Sequence, residues 1–185
     1  MNRNLGVLPL VLLLALLPLG CDDDEGDSGD PCIEFTAAAV PGPQTVTAIE
    51  GLGSGCDVAV IDLVVTDVDD LFATSFDVTF DSTRVALVTV STTTSVLTSD
   101  GAPVLRQVTT IGTGQVHVAL TRSQVSTGVS VVGGATLATI TFFRTATGGT
   151  SPLTLSNATL LDPSTPPAPI PGIQFRGGTF QIFTQ

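Results

Sequence analysis

The 185 residues contain no tryptophan, no tyrosine and no lysine, and histidine occurs only once, as His117. Each absence removes a class of function. Flat polysaccharides are gripped by stacked Trp and Tyr rings, whose polar tips tolerate water, so no aromatic binding platform is expected. All six cations are arginine against seventeen carboxylates, and the formal net charge of −11 excludes a nucleic acid partner, because a phosphate backbone needs basic residues. With Cys21 expected to carry lipid, as read below, Cys32, Cys56 and the single His117 do not make a zinc set. That histidine lies in a regular alternating segment, as an outward, solvated strand residue, and no nucleophile–base pair is read beside it. Glycosidase chemistry would need two carboxylates converging across a cleft. Asp67, Asp69 and Asp70 instead stand together in an acidic turn, a solvated loop or at most a weak calcium site. The chain is therefore expected to be non-catalytic, with no cofactor beyond a possible Ca2+.

Helix-favouring Glu and Gln are also scarce, and charged residues make up only 12% of the chain. Val, Thr, Ser and Gly dominate instead, a composition of strands and turns. Residues 1–20 read as a secretory signal, with Arg3 ahead of the apolar run Leu5–Leu17. The run ends in Leu17-Pro18-Leu19-Gly20-Cys21, which looks like a bacterial lipobox. Cleavage there would leave Cys21 as a lipidated amino terminus, and several acyl chains anchor stably where one is marginal. Six of the seventeen carboxylates fall between Asp22 and Asp30, so residues 21–31 are expected to be a solvated tether. The expected location is the bacterial cell envelope, periplasmic or at the cell surface. With Cys21 acylated, Cys32 and Cys56 remain in an oxidising compartment and are expected to pair, with two buried thiols as the alternative.

Residues 32–185 then form the domain. Its centre is Val58–Val90, where Val58–Val65, Phe72–Phe80 and Val85–Val90 are separated by the turns Asp67–Asp70 and Asp81–Arg84. Phe76, Val78 and Phe80 alternate with Ser75, Asp77 and Thr79, the period-two signature of a strand with one wet face. Val116, Val118 and Leu120 likewise alternate with His117, Ala119 and Thr121. Further strands are expected at Ile33–Ala38, Thr45–Ile49, Leu105–Ile111, Thr136–Arg144, Leu153–Leu155, Ala158–Leu161 and Gly178–Phe183, with loops at Ser126–Gly134 and at the five-proline segment Asp162–Gly172. Phe72, Phe76, Phe80, Phe142 and Phe180 are assigned to the core, and Phe143 and Phe183 are candidates for exposure. About nine short strands without an amphipathic helix predict an all-β, two-sheet antiparallel sandwich.

Three segments carry a family resemblance. They are SFDVTFDSTRVALVTV (75–90), GQVHVA (114–119), and GGATLATITFF (133–143) with GGTSPLTLSNATLLD (148–162). In this order they resemble the cohesin family over nearly all of residues 33–185. The resemblance implies a jelly-roll sandwich and a module that holds a dockerin-type protein partner in polysaccharide-degrading assemblies. It also implies that the partner sits on an exposed sheet face containing Ser75, Asp77, Thr79, His117 and Ala119. Two departures stand out. Phe80-Asp81-Ser82 replaces the family's tyrosine-aspartate-proline turn, and Ser75 stands where the family carries its outward aspartate, with Asp77 two positions on. Polysaccharide binding and a purely structural envelope role are the remaining expectations for function.

Overall fold

The alternation of β-branched and polar residues is obeyed in three dimensions. In the computed structural model, which describes residues 31–184, Val116, Val118 and Leu120 are buried while His117 and Ala119 face outward, half-exposed. Repeated along the chain, this pattern gives strands β1 (Pro31–Ala37), β2 (Thr45–Glu50), β3 (Val58–Leu71), β4 (Ala73–Thr79), β5 (Val85–Ser91) and β6 (Val104–Gly112). After them come β7 (Gln115–Arg122), β8 (Val129–Arg144), β9 (Gly149–Leu161), β10 (Gln174–Arg176) and β11 (Gly178–Thr184). One short 3-10 turn, Val96–Thr98, precedes β6.

A six-stranded sheet in the order β1-β11-β9-β4-β7-β6 faces a five-stranded sheet in the order β10-β2-β3-β8-β5. Their inner faces share one core, crossed by a row of rings. Phe35 lies 5.0 Å from Phe180, Phe180 5.0 Å from Phe142, and Phe142 5.2 Å from Phe80, all tilted or edge-on. Both sheets and this core come from residues 31–184, so that segment folds as a unit. Cys32 and Cys56 form the expected disulfide, which ties β1 to the loop before β3, and the Ile33 N–H donates to the Cys56 carbonyl at 3.0 Å. The expected signal segment, the lipidation site Cys21 and the acidic tether lie outside the described residues.

The strand count is eleven rather than nine, and the differences have physical causes. The acidic stretch Asp67–Asp70 is not a turn. It continues β3 through two register shifts against β8, with Asp67 and Asp70 in left-handed backbone (φ 49° and 55°), which Asp tolerates better than most residues. Val68 and Leu71 stay buried while the three aspartates are exposed. Val129–Gly134, expected to be loop, is the facing half of β8, and Asp67 and Asp70 accept hydrogen bonds from the Gly133 and Gly128 N–H groups at 2.7 and 3.1 Å. Leu153–Leu155 and Ala158–Leu161 are one strand, β9, with a bulge at the break. The three-residue β10 pairs parallel with β2, so the smaller sheet is mixed. Phe72 is not a core residue. It is the single residue at which the chain crosses from β3 in one sheet to β4 in the other, and its side chain is half-buried.

Candidate binding face

Strand β4 lies inside the six-stranded sheet, paired with β9 on one side and β7 on the other. Register therefore decides what meets on its outward face. Ser75 stands between Ala119 and Thr159, Asp77 between His117 and Ser156, and Thr79 between Gln115 and Thr154. Beyond β7, strand β6 places Leu105, Gln107 and Thr109 opposite Thr121, Ala119 and His117. Ser75, Asp77, Thr79, His117 and Ala119 thus share one outward sheet face.

Asp77 is the organising residue of this face, and it is not solvated. Only 5% of it is exposed. Its Oδ1 lies 2.6 Å from His117 Nδ1, and its Oδ2 accepts from Asn157 Nδ2 at 2.7 Å and from Gln115 Nε2 at 3.4 Å. An ionised carboxylate only accepts, so His117 Nδ1 carries the donated proton. In the neutral ring, Nε2 is then left to accept from Ser75 Oγ at 3.3 Å. The Asn157 amide, and next the His117 bond, hold the Asp77 carboxyl below the usual carboxylate range, outweighing its desolvation. Asn157 reaches Asp77 because β9 bulges there, with Asn157 in left-handed backbone (φ 48°). Neither Asn157 nor Gln115 was among the residues singled out in the sequence. The available signals were an asparagine interrupting an apolar strand and a glutamine two residues before the histidine.

Contrary to the expectation from the sequence, a serine does sit beside the histidine, and Ser75, His117 and Asp77 follow one another in the order of a nucleophile, base and acid. The surroundings do not complete that chemistry. Ser75 stands mid-strand in the sheet, opposite Ala119 of β7 and Thr159 of β9, and not at a turn or helix N-terminus that would aim N–H groups at one oxyanion. The cluster acts as a fixed polar anchor, with its carboxylate committed to its own sheet.

Next to this anchor is an apolar cleft of about 380 Å³. The small side chains of Ala73 and Ala119 leave the sheet hollow, Phe72 and Ser75 line it, and Leu105 and Leu161 flank it with Pro167. The proline-rich segment after β9 is irregular, as expected, but it doubles back to form one wall. Ile170 N–H donates to Leu160 O at 2.9 Å, and the Asp162 carboxylate accepts from the Ser164 and Ala168 N–H groups, both at 3.0 Å. The Ser164 hydroxyl and these amides hold the Asp162 carboxyl below its ordinary range.

The other candidates are dispersed. Phe143 is on β8 and Phe183 on β11, in different sheets, and they do not form a common platform. Asp67 is turned to the Gly133 amide of β8 and Asp70 to the Gly128 amide just before it, and among the described residues no three potential metal ligands converge.

No protein-family model and no curated protein matches this sequence. Solved structures do. A cohesin module of Clostridium acetobutylicum, determined in solution, is similar with 16% identity and a TM-score of 0.52, covering 84% of this chain and 91% of that one. The sixth cohesin of scaffoldin B from Acetivibrio cellulolyticus, solved in complex with a Cel5 dockerin mutant, has 12% identity and a TM-score of 0.52, over 83% of this chain and 98% of that one. The second type II cohesin module of the adaptor scaffoldin ScaA from the same organism has 11% identity and a TM-score of 0.55, over 80% and 88%. The chain therefore has the cohesin fold, in agreement with the resemblance read from its strands.

Proposed function

We propose that this chain is a non-catalytic docking module that takes a dockerin-type protein partner on the outward face of β9, β4, β7 and β6. In this reading the lipid on Cys21 holds it at the bacterial envelope, and its partner carries a polysaccharide-degrading enzyme. The observation that carries the reading is the apolar cleft beside the Asp77–His117 anchor. A hollow walled by Leu, Phe and Pro on an otherwise polar sheet face suits an aliphatic or aromatic side chain from a protein, with the surrounding Ser, Thr and Gln as a hydrogen-bonding rim. Solved cohesins of the same fold in complex with dockerins support the choice of partner. Because Asp77 already accepts bonds from Asn157, His117 and Gln115, affinity in this reading comes from the cleft more than from a free carboxylate.

The test is isothermal titration of residues 31–185 with dockerin modules encoded in the same genome, with and without calcium. One-to-one binding is expected. Leu105→Glu, at an exposed position that leaves the core intact, is expected to weaken it at least ~10-fold, about 1.4 kcal/mol. Retention on a polysaccharide column with no dockerin binding would overturn the proposal.

A further inference from the structure

The two sheets have four edges, and three of them are blunted. β1 carries the charged, exposed Glu34, and β10 is only three residues long. β5 is interrupted by a register shift at Val88, and its Val90 carbonyl is taken by the Arg106 guanidinium. These are the devices by which sheet proteins keep their edges from pairing with other chains. β6 has none of them over most of its length. It is nine residues long, without proline or acid, and its register with β7 is regular from Val104 to Thr110, shifting only at the hairpin end. Its one charged residue, Arg106, is turned to Val90. Both faces of the strand are open, with Leu105 62%, Ile111 53% and Val108 39% exposed.

The sequence of this edge is complementary to itself. If two copies of β6 run antiparallel with Val108 facing Val108, Gln107 meets Thr109, Arg106 meets Thr110, Leu105 meets Ile111, and Val104 meets Gly112. Apolar residues then face apolar ones, polar residues face polar ones, and no like charges stand opposite one another. Shifting the centre to Gln107 or Thr109 loses the Leu105–Ile111 match. In a chain of net charge −11, an edge without any acid is also where two copies approach with least repulsion.

We infer that β6 is the pairing edge for a second copy of this chain, giving a two-fold symmetric dimer in which the two six-stranded sheets become one. The two-fold axis of an antiparallel pair runs perpendicular to the sheet, so both outward faces lie on the same side. Leu105 at the rim of one cleft is then covered by Ile111 of the other copy, and the dimer presents two clefts side by side. This inference is independent of what the cleft binds.

Sedimentation velocity on residues 31–185 over a rising concentration series tests it. The expected result is a shift from monomer to a single species of twice the mass. Two double variants at exposed positions check the register. Gln107→Lys with Thr109→Lys sets lysine against lysine at two places and is expected to weaken the dimer at least tenfold. Gln107→Glu with Thr109→Lys sets opposite charges together and is expected to dimerise at least as tightly as the unaltered chain. Unchanged melting temperatures exclude misfolding as the cause. A chain that stays monomeric throughout, pairs this edge only with a different protein, or dimerises equally well with two facing lysine pairs would overturn the inference.

Discussion

Asp77 shows at the scale of one residue how a pattern can be read correctly and its energetics missed. Alternation placed it on the outward face of β4, and it is there. Its burial could not be read, because the amide that covers it comes from Asn157, eighty positions later, aimed by a bulge that local propensity does not announce. The same holds for the serine beside His117, which neighbouring strands bring together across 42 positions. The depressed titration of Asp77 has a definite consequence for stability. Its ionised form is preferentially stabilised in the folded chain, so its contribution is complete above the ordinary carboxylate pKa, near 4, and is lost as pH falls through the lower folded value. Asp77→Asn is therefore expected to lower the melting temperature at neutral pH, with the gap from the unaltered protein closing in acid. Thermal melts of both proteins from pH 7 downward check this. A gap that does not vary with pH would contradict it. Comparing the two proteins cancels the parallel titrations of Asp81, Asp100 and Asp162, which are also held low by their own hydrogen bonds.

Among the elements, the strands that obey strict alternation were legible and those built by tertiary contact were not. β7 and β4 match their expected spans within a residue or two at each end, because each has one dry and one wet face. The second half of β3 and the first half of β8 broke the pattern with aspartates and glycines. They pair because Asp67 and Asp70 hold the facing backbone, which no single-strand rule anticipates. The β6–β7 hairpin was legible in part, since Gly112 and Gly114 mark its turn, but its close approach to β4 was not. Gly114 has φ 75°, a Cβ there would lie 2.3 Å from the Phe80 carbonyl oxygen, and its own carbonyl accepts the Phe80 N–H at 2.8 Å. Gly114→Ala is expected to cost about 1–3 kcal/mol from backbone strain, with the clash added, measured by urea unfolding. A variant as stable as the original would show that this contact does not constrain the turn.

For the whole molecule, the sandwich and its core followed from strand pattern and turn chemistry, and the disulfide from counting cysteines. The parallel β10 and the folding back of the proline-rich wall did not, since both depend on where the chain returns after β9. The disulfide and the candidate face belong to opposite edges of the larger sheet, β1 at one and β6 at the other. Stability and binding should therefore separate. Cys32→Ala with Cys56→Ala reopens a loop of 24 residues in sequence separation and is expected to cost about 3 kcal/mol in chemical unfolding. Binding at the face should be unchanged under conditions where the variant remains folded. Equal loss of both would mean that the bridge shapes the binding face.

The proposed site of the protein partner is the outward face of β9, β4, β7 and β6 at the Phe72–Leu105 cleft. Amide hydrogen exchange of residues 31–185, with and without a saturating dockerin-type module, tests it most directly. Added protection is expected to be confined to β9, β4, β7, β6 and the segment 161–167, with β3, β5 and β8 unchanged. Protection centred on the five-stranded sheet, or a bound partner that leaves the cleft strands unaltered, would contradict it.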